Sequence, residues 1–148
     1  MLNAVFVSDL HLNSPSDERY QSFLLILKQW RGPKMLDTPT HQSVISHLFL
    51  LGDIFDLWIG SHSYFVNRHK TLVNEIGRLL GEGVEVHYFE GNHDLHLEGF
   101  WQKKLGVHVH PEPSVVSLGS YNFYLEHGDA FDPSDKGYAF LRWFLRTP

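Results

Sequence analysis

Four apolar stretches of this sequence end in the same few polar residue types. VFVSDLHL (5–12) ends with Asp9 and His11, and LFLLGDIFD (48–56) with Asp53 and Asp56. VHYFEGNHD (86–94) ends with Asn92, His93 and Asp94, and NFYLEHGD (122–129) with His127 and Asp129. Brought together, Asp9, His11, Asp53, Asn92 and His127 offer two carboxylates, two imidazoles and an amide oxygen. Such a nitrogen and oxygen set suits Mn²⁺, Fe²⁺, Zn²⁺ or Ni²⁺. Two carboxylates buried without counter-charge repel, and one then holds its proton. A pair of dications removes that conflict. Two ions roughly 3.5–4 Å apart acidify a water and clamp phosphoryl oxygens, a standard device for phosphate ester hydrolysis. Asp53 is the candidate bridge between the ions. His93 is the candidate proton donor to the leaving oxygen or to a non-bridging oxygen. Asp56 is the candidate group that orients His93.

Each motif has an ordinary reading on its own. An aspartate at a strand end caps the next helix, and Gly-Asn forms turns. It is the occurrence of all four in this order that favours a metal site. In D-x-H, strand alternation would put Asp9 and His11 on one side. Glycines beside Asp53, Asn92 and His127 allow tight turns and close approach to a ligand.

The elements that must carry these residues alternate. LNAVFVS (2–8) is almost continuously apolar and reads as a central strand buried on both faces. Ser14 reads as a helix cap, Pro15 as the first helical residue and Asp17 as the capping-box acid. Tyr20, Phe23, Leu24, Leu27 and Trp30 follow at helical spacing until Gly32-Pro33. Residues 33–43 read as a loop and 45–51 as a second strand. Residues 65–80 read as a helix closed by Gly81, 85–89 as a third strand, 97–105 as a short helix and 107–109 as a short strand. Residues 115–118 and 121–125 flank Gly119-Ser120 and read as a hairpin. Residues 135–146 read as a helix. This order predicts an α/β fold with a largely parallel sheet, and ligands gather at the carboxyl ends of such strands.

The bulk numbers narrow the classes. A length of 148 residues predicts one domain. Its net charge of −5 gives no global basic field, so nucleic acid is not expected as a partner. No cysteine is present, which excludes disulfides and thiolate metal sites and agrees with a cytoplasmic location. No apolar run reaches the ~18 residues of a membrane span, and no basic n-region or cleavage site is visible at the start. The 11 histidines supply imidazole in excess of the motif residues.

SDLH, GDIFD, GNHD and HGD, in this order across residues 8–129, resemble the motifs of the calcineurin-like metallophosphoesterases. More narrowly, GDIFDLWIG and HGDAFDPSDKGY resemble the UDP-2,3-diacylglucosamine hydrolase branch of that family, which serves lipid A synthesis. The resemblance implies an α/β/β/α sandwich with mixed sheets over residues 1–148. It implies cleavage of the lipid-linked nucleotide sugar to UMP and 2,3-diacylglucosamine 1-phosphate, normally with two Mn²⁺. Asp9 and His11 would bind the first ion, Asp53 would bridge, and Asn92 and His127 would bind the second. Asn92, His93 and Asp135 would touch substrate.

The sequence departs from that pattern in two places. His93 stands where the branch often has arginine, and no G-H-x-H motif follows His127. Read against the family, the chain lacks a C-terminal part, with 135–148 the start of a substrate-cap helix, and little turnover is expected of it alone. His108-Val109-His110 would put both imidazoles on one face, but the family's chain order assigns no ligand there, so it reads as an ordinary strand. Trp58 and Ile59 read as support for the loop carrying Asp56, with an acyl pocket as the alternative. The basic, aromatic segment GYAFLRWFLRTP (137–148) either packs on the rest of the fold or lies in a membrane interface, the inner membrane for a lipid A enzyme. The competing functions are a phosphodiesterase for another substrate and a non-catalytic scaffold. An open sheet edge invites pairing between chains, and oligomeric state is not fixed by the sequence.

Overall fold

The computed structural model describes residues 2–35 and 43–129, together with Phe140 and Phe144. Asp135 and the rest of the 130–148 segment lie outside the described residues, as does the region 36–42.

The core of the fold is a parallel sheet built from β1 (Ala4–Val7), β4 (His47–Leu51), β6 (Glu85–Phe89) and β8 (His108–His110), in the order β1-β4-β6-β8. Alternation along the strands divides their side chains between two faces. Val5, Val7, Leu48, Leu50, Val86, Tyr88 and Val109 belong to one face and pack with the helices α1 (Glu18–Gln29) and α3 (Lys70–Gly81). Those helices contribute Tyr20, Phe23 and Leu27, and Leu72, Val73, Ile76 and Leu79. Each helix has 12 residues, near the limit below which an isolated helix is marginal in water. Burial at about 1.5–3 kcal/mol per large apolar side chain is what holds them.

The other face carries Phe49, Phe89, Ala4 and Leu51, covered by Val116, Leu118 and Leu125. These last come from a hairpin of β9 (Ser114–Leu118) and β10 (Tyr121–Leu125). Gly119 has φ +61° at the first turn position, as a II′ turn requires. The result is a mixed α/β arrangement with a parallel central sheet, as the strand and helix order predicts. Two short parallel pairs complete it, β2 (Trp30–Arg31) with β3 (Ser43–Val44) and β5 (Trp58–Ile59) with β7 (Asp94–Leu95).

Several local expectations change. β1 is an edge strand among the described residues, and Phe6 is 41% exposed. A continuous apolar run reports two apolar faces, not two hydrogen-bonded neighbours. The first helix starts at Glu18 with Asp17 as its cap, not at Pro15. The capping-box contact exists nonetheless: the Ser14 N–H donates to the Asp17 carboxylate, inside a turn that precedes the helix. The helix read over 65–80 is two helices, α2 (Ser63–Arg68) and α3, broken at His69. Gly83 with φ +91°, rather than Gly81, takes the left-handed position after α3. Residues 97–105 form a 3₁₀ turn and a wider π turn.

His108 and His110 do share a face, as alternation predicts. They stack against His87, and His110 Nε2 lies 3.0 Å from His87 Nδ1. Trp58 is fully buried among Phe55, Phe65, Phe100 and Trp101 and donates to the Gly60 carbonyl, so it is core. Ile59 is exposed. Phe140 and Phe144 are helical and exposed. No helix among the described residues is long and apolar enough to cross a membrane.

Candidate metal centre

The motif residues meet just past the carboxyl ends of β1, β4, β6 and β10. Asp9, Asp53 and His127 place donor atoms within 4.8 Å of one another. His11, Asp56 and His93 form a second such group. Asp53 lies between the groups, its Oδ2 3.4 Å from His127 Nε2 and 3.8 Å from His11 Nε2. His11 and His93 meet edge to face at 4.9 Å. Asn92 is half-buried, between Gly91 at the Asp53 carboxylate and His93, whose N–H donates to Asp53 Oδ1 at 3.0 Å.

The backbone explains how residues so distant in sequence converge. Asp9, His11 and Asp53 have φ of +53°, +46° and +51°. Non-glycine residues rarely adopt this left-handed region, at a cost of about 1–3 kcal/mol each when they do. β1 has ended at Val7, so strand alternation does not align Asp9 with His11, contrary to the sequence reading. Instead the loop runs beside residues 52–54: Asp9 N–H donates to Gly52 O, His11 N–H to Asp53 O and Leu12 N–H to Ile54 O. Two glycines are needed for the close approach. A Cβ at Gly91 would collide with the Asp53 carboxylate, and one at Gly52 would strike the His127 ring.

One residue given no role in the sequence reading, Asp94, holds this loop from behind. Asp94 is fully buried and accepts from Ile54 N–H (2.7 Å), Phe55 N–H (3.2 Å) and the Tyr88 hydroxyl (2.7 Å). Burial raises its pKa to about 7 against the opposing effect of these bonds. Its signal in the sequence is the last letter of GNHD, an acid that enters a β-bridge immediately after the site residues.

The imidazoles have assigned orientations. His127 Nδ1 lies 2.8 Å from the Leu51 carbonyl and His93 Nδ1 lies 2.7 Å from the Asp56 carbonyl. A carbonyl only accepts, so each Nδ1 carries the proton and each Nε2 is left for the site. Histidine ligands are typically braced in this way by a backbone carbonyl. The Asp56 backbone, not its carboxylate, is therefore what orients His93. Burial pushes the Asp53 pKa up, but bonds from His127 and the His93 N–H outweigh it and hold the carboxylate low. The bond to Asp53 raises His127 to about 9, with burial opposing. A proton on His127 Nε2 thus neutralises a carboxylate that a cation would otherwise neutralise. Donor types, strain and bracing all fit divalent metal.

The profile of calcineurin-like phosphoesterases matches residues 2–146. The chain is similar to a UDP-2,3-diacylglucosamine hydrolase of Porphyromonas gingivalis, with 35% identity over 84% of this chain and 45% of that protein. It is also similar to proteins of that name from Pseudomonas putida, at 31% identity over 97% of this chain and 55% of the relative, and from Pseudomonas paraeruginosa, at 27% over 99% and 56%. The chain spans about half the length of these curated relatives. A solved structure of a protein of unknown function from Aquifex aeolicus matches with a TM-score of 0.48 and 17% identity over 96% of this chain and 69% of that one. On its sequence and on the motif residues gathered at its sheet edge, the chain belongs to the calcineurin-like phosphoesterase family.

Proposed function

We propose that this chain carries the metal-binding part of a hydrolase that cleaves the pyrophosphate of UDP-2,3-diacylglucosamine, giving UMP and 2,3-diacylglucosamine 1-phosphate. The observation that carries the reading is the position of Asp53 Oδ2 between His127 Nε2 and His11 Nε2, with Asp9, Asp56 and His93 completing the two donor groups. The names of the similar proteins supply the substrate.

Two divalent ions, Mn²⁺ by preference, would be held by Asp9, His11, Asp53, Asn92 and His127. Bound there, they would polarise the phosphoryl group and acidify the attacking water. The chain's own residues do the remainder. Asp53 fixes the separation of the two donor groups. His127 Nε2 releases its proton before it can serve as a ligand. His93, held through Nδ1–H, presents Nε2 to the leaving oxygen and delivers a proton when it is charged. Asn92, His93 and Asp135 are the proposed substrate contacts, Asp135 from sequence alone. An acylated substrate and product would favour a position at the cytoplasmic face of the inner membrane, with 137–148 as the proposed contact.

Incubation with UDP-2,3-diacylglucosamine and Mn²⁺, of this chain and of a chain extended to the relatives' length, tests the reading. UMP release that depends on Mn²⁺ and on Asp53 is expected from the extended chain and at a much lower rate from this one. Hydrolysis of simple diesters with indifference to the lipid nucleotide would reject the substrate and keep the metal site.

A further inference from the structure

Beside the His11, Asp56 and His93 group lies a cavity of about 210 Å³, lined in part by Asn13, Asp56, Tyr64, Arg68 and His69. Arg68 is held there by neutral acceptors. Its Nε donates to the Asn13 carbonyl (2.9 Å), Nη2 to Asn13 Oδ1 (3.2 Å) and Nη1 to the Tyr64 hydroxyl (3.1 Å). The guanidinium also lies over the Tyr64 ring at 5.8 Å. Arg31 and Arg78 both pair with glutamates, whereas Arg68 has no carboxylate within ion-pair distance among the described residues.

A guanidinium has five N–H donors, and these contacts use three of them. One N–H remains on each Nη, the pair that grips two oxygens of a phosphate in the forked arrangement. The side chain is thus fixed in place with its charge uncompensated. Such preorganisation lowers the cost of binding an anion. His69 lines the same cavity with a buried Nδ1 that has no hydrogen-bond partner, so its wall also holds a polar atom awaiting one. Asn13 ties Arg68 to the site directly, since it stands two residues after His11.

We infer that Arg68, braced by Asn13 and Tyr64, is the subsite for the second phosphoryl group of a diphosphate substrate whose first phosphoryl sits at the metal centre. The inference rests on the proposed metal site and adds a specificity determinant to it. An anhydride differs from a simple phosphodiester by one further negative phosphoryl, which two ions engaged on its neighbour leave without a cation. Arg68 supplies that cation. The Asp56 carboxylate lines the same cavity but makes no ion pair with Arg68, and its donor atom lies within 4.8 Å of those of His11 and His93.

The test compares the P-methyl esters of UMP and of UDP, which differ by one phosphoryl, in equilibrium binding to the Mn²⁺-loaded protein. The wild type should bind the UDP ester roughly tenfold or more tightly than the UMP ester. Arg68→Ala should erase the preference, weakening the UDP ester roughly 10- to 100-fold with the UMP ester within about twofold. Arg68→Lys should restore part of it, since a point charge replaces the fork. Tyr64→Phe removes one brace without disturbing α2 and should cut the preference about threefold, which keeps the test open if Arg68→Ala misfolds. A preference that survives Arg68→Ala, or equal weakening of both esters, overturns the inference and leaves the metal site standing. A wild type that binds neither ester refutes the metal site and this subsite together.

Discussion

The contact between His127 and Asp53 makes metal binding and stability respond to pH in opposite directions. Without metal, the His127 pKa is about 9 in the folded chain against 6.5 when free. A folded-state pKa raised in this way contributes stability that is complete below pH 6.5 and is lost as pH climbs through 9. The difference corresponds to about 3 kcal/mol at 1.36 kcal/mol per pH unit, and the His127 side chain is only 6% exposed, so solvent does little to reduce it. At about 2–4 °C per kcal/mol for a chain near this length, the metal-free melting temperature should fall by about 6–12 °C between pH 6.5 and 9. Asp94 also destabilises as pH rises, but its window, from 3.8 to about 7, lies lower. Divalent metal behaves in the opposite sense. At pH 7 His127 carries its extra proton, so an ion must displace that proton, and its affinity should rise roughly tenfold per pH unit towards 9. Differential scanning fluorimetry with EDTA and Mn²⁺ titrations at half-unit pH steps read both slopes. A metal-free melting temperature that is flat or rising from pH 7.5 to 9, together with pH-independent Mn²⁺ affinity, would refute the His127–Asp53 account.

Asp94→Ala orphans three buried donors at about 1–3 kcal/mol each and should lower stability in urea by about 3–9 kcal/mol, with weaker Mn²⁺ binding because residues 53–55 lose their anchor. Gly91→Ala drives a methyl into the Asp53 carboxylate and should abolish tight Mn²⁺ binding in a chain that still folds by circular dichroism; unchanged affinity would contradict the geometry of the loop. His93→Gln should cut kcat in the extended chain by about 10²–10⁴ while Mn²⁺ stoichiometry holds, and loss of an ion instead would move His93 from proton donor to ligand. Vesicles of acidic phospholipid should co-sediment the extended chain, and replacing Phe140 and Phe144 with serine should release it.

Much of this was legible in the sequence because the two kinds of signal do not interfere. Apolar runs such as 47–51 and 85–89 mark strands, and the polar residues that end them mark the site edge. Periodicity also gave the inner faces of α1 and α3, since Tyr20, Phe23, Leu27 and Leu72, Val73, Ile76, Leu79 face the sheet. What the sequence hid is set by tertiary context. The position of β1 at an edge depends on which strand pairs with which. The break at His69 separates two helices whose residues share one hydrophobic period. The left-handed conformations of Asp9, His11 and Asp53 leave no compositional mark, because only a glycine advertises positive φ. Asp94 and Arg68 looked ordinary for a similar reason: a buried acid and an unpaired arginine are recognised by their surroundings, and those come from residues 40 and 55 positions away.

Crystals of the protein grown with Mn²⁺ and measured at the manganese absorption edge give the most direct test. The account predicts anomalous peaks at Asp53, one also in contact with Asp9 or His127 and the other on the His11 side. Peaks confined to the His87, His108 and His110 stack, or none at Asp53, would contradict it.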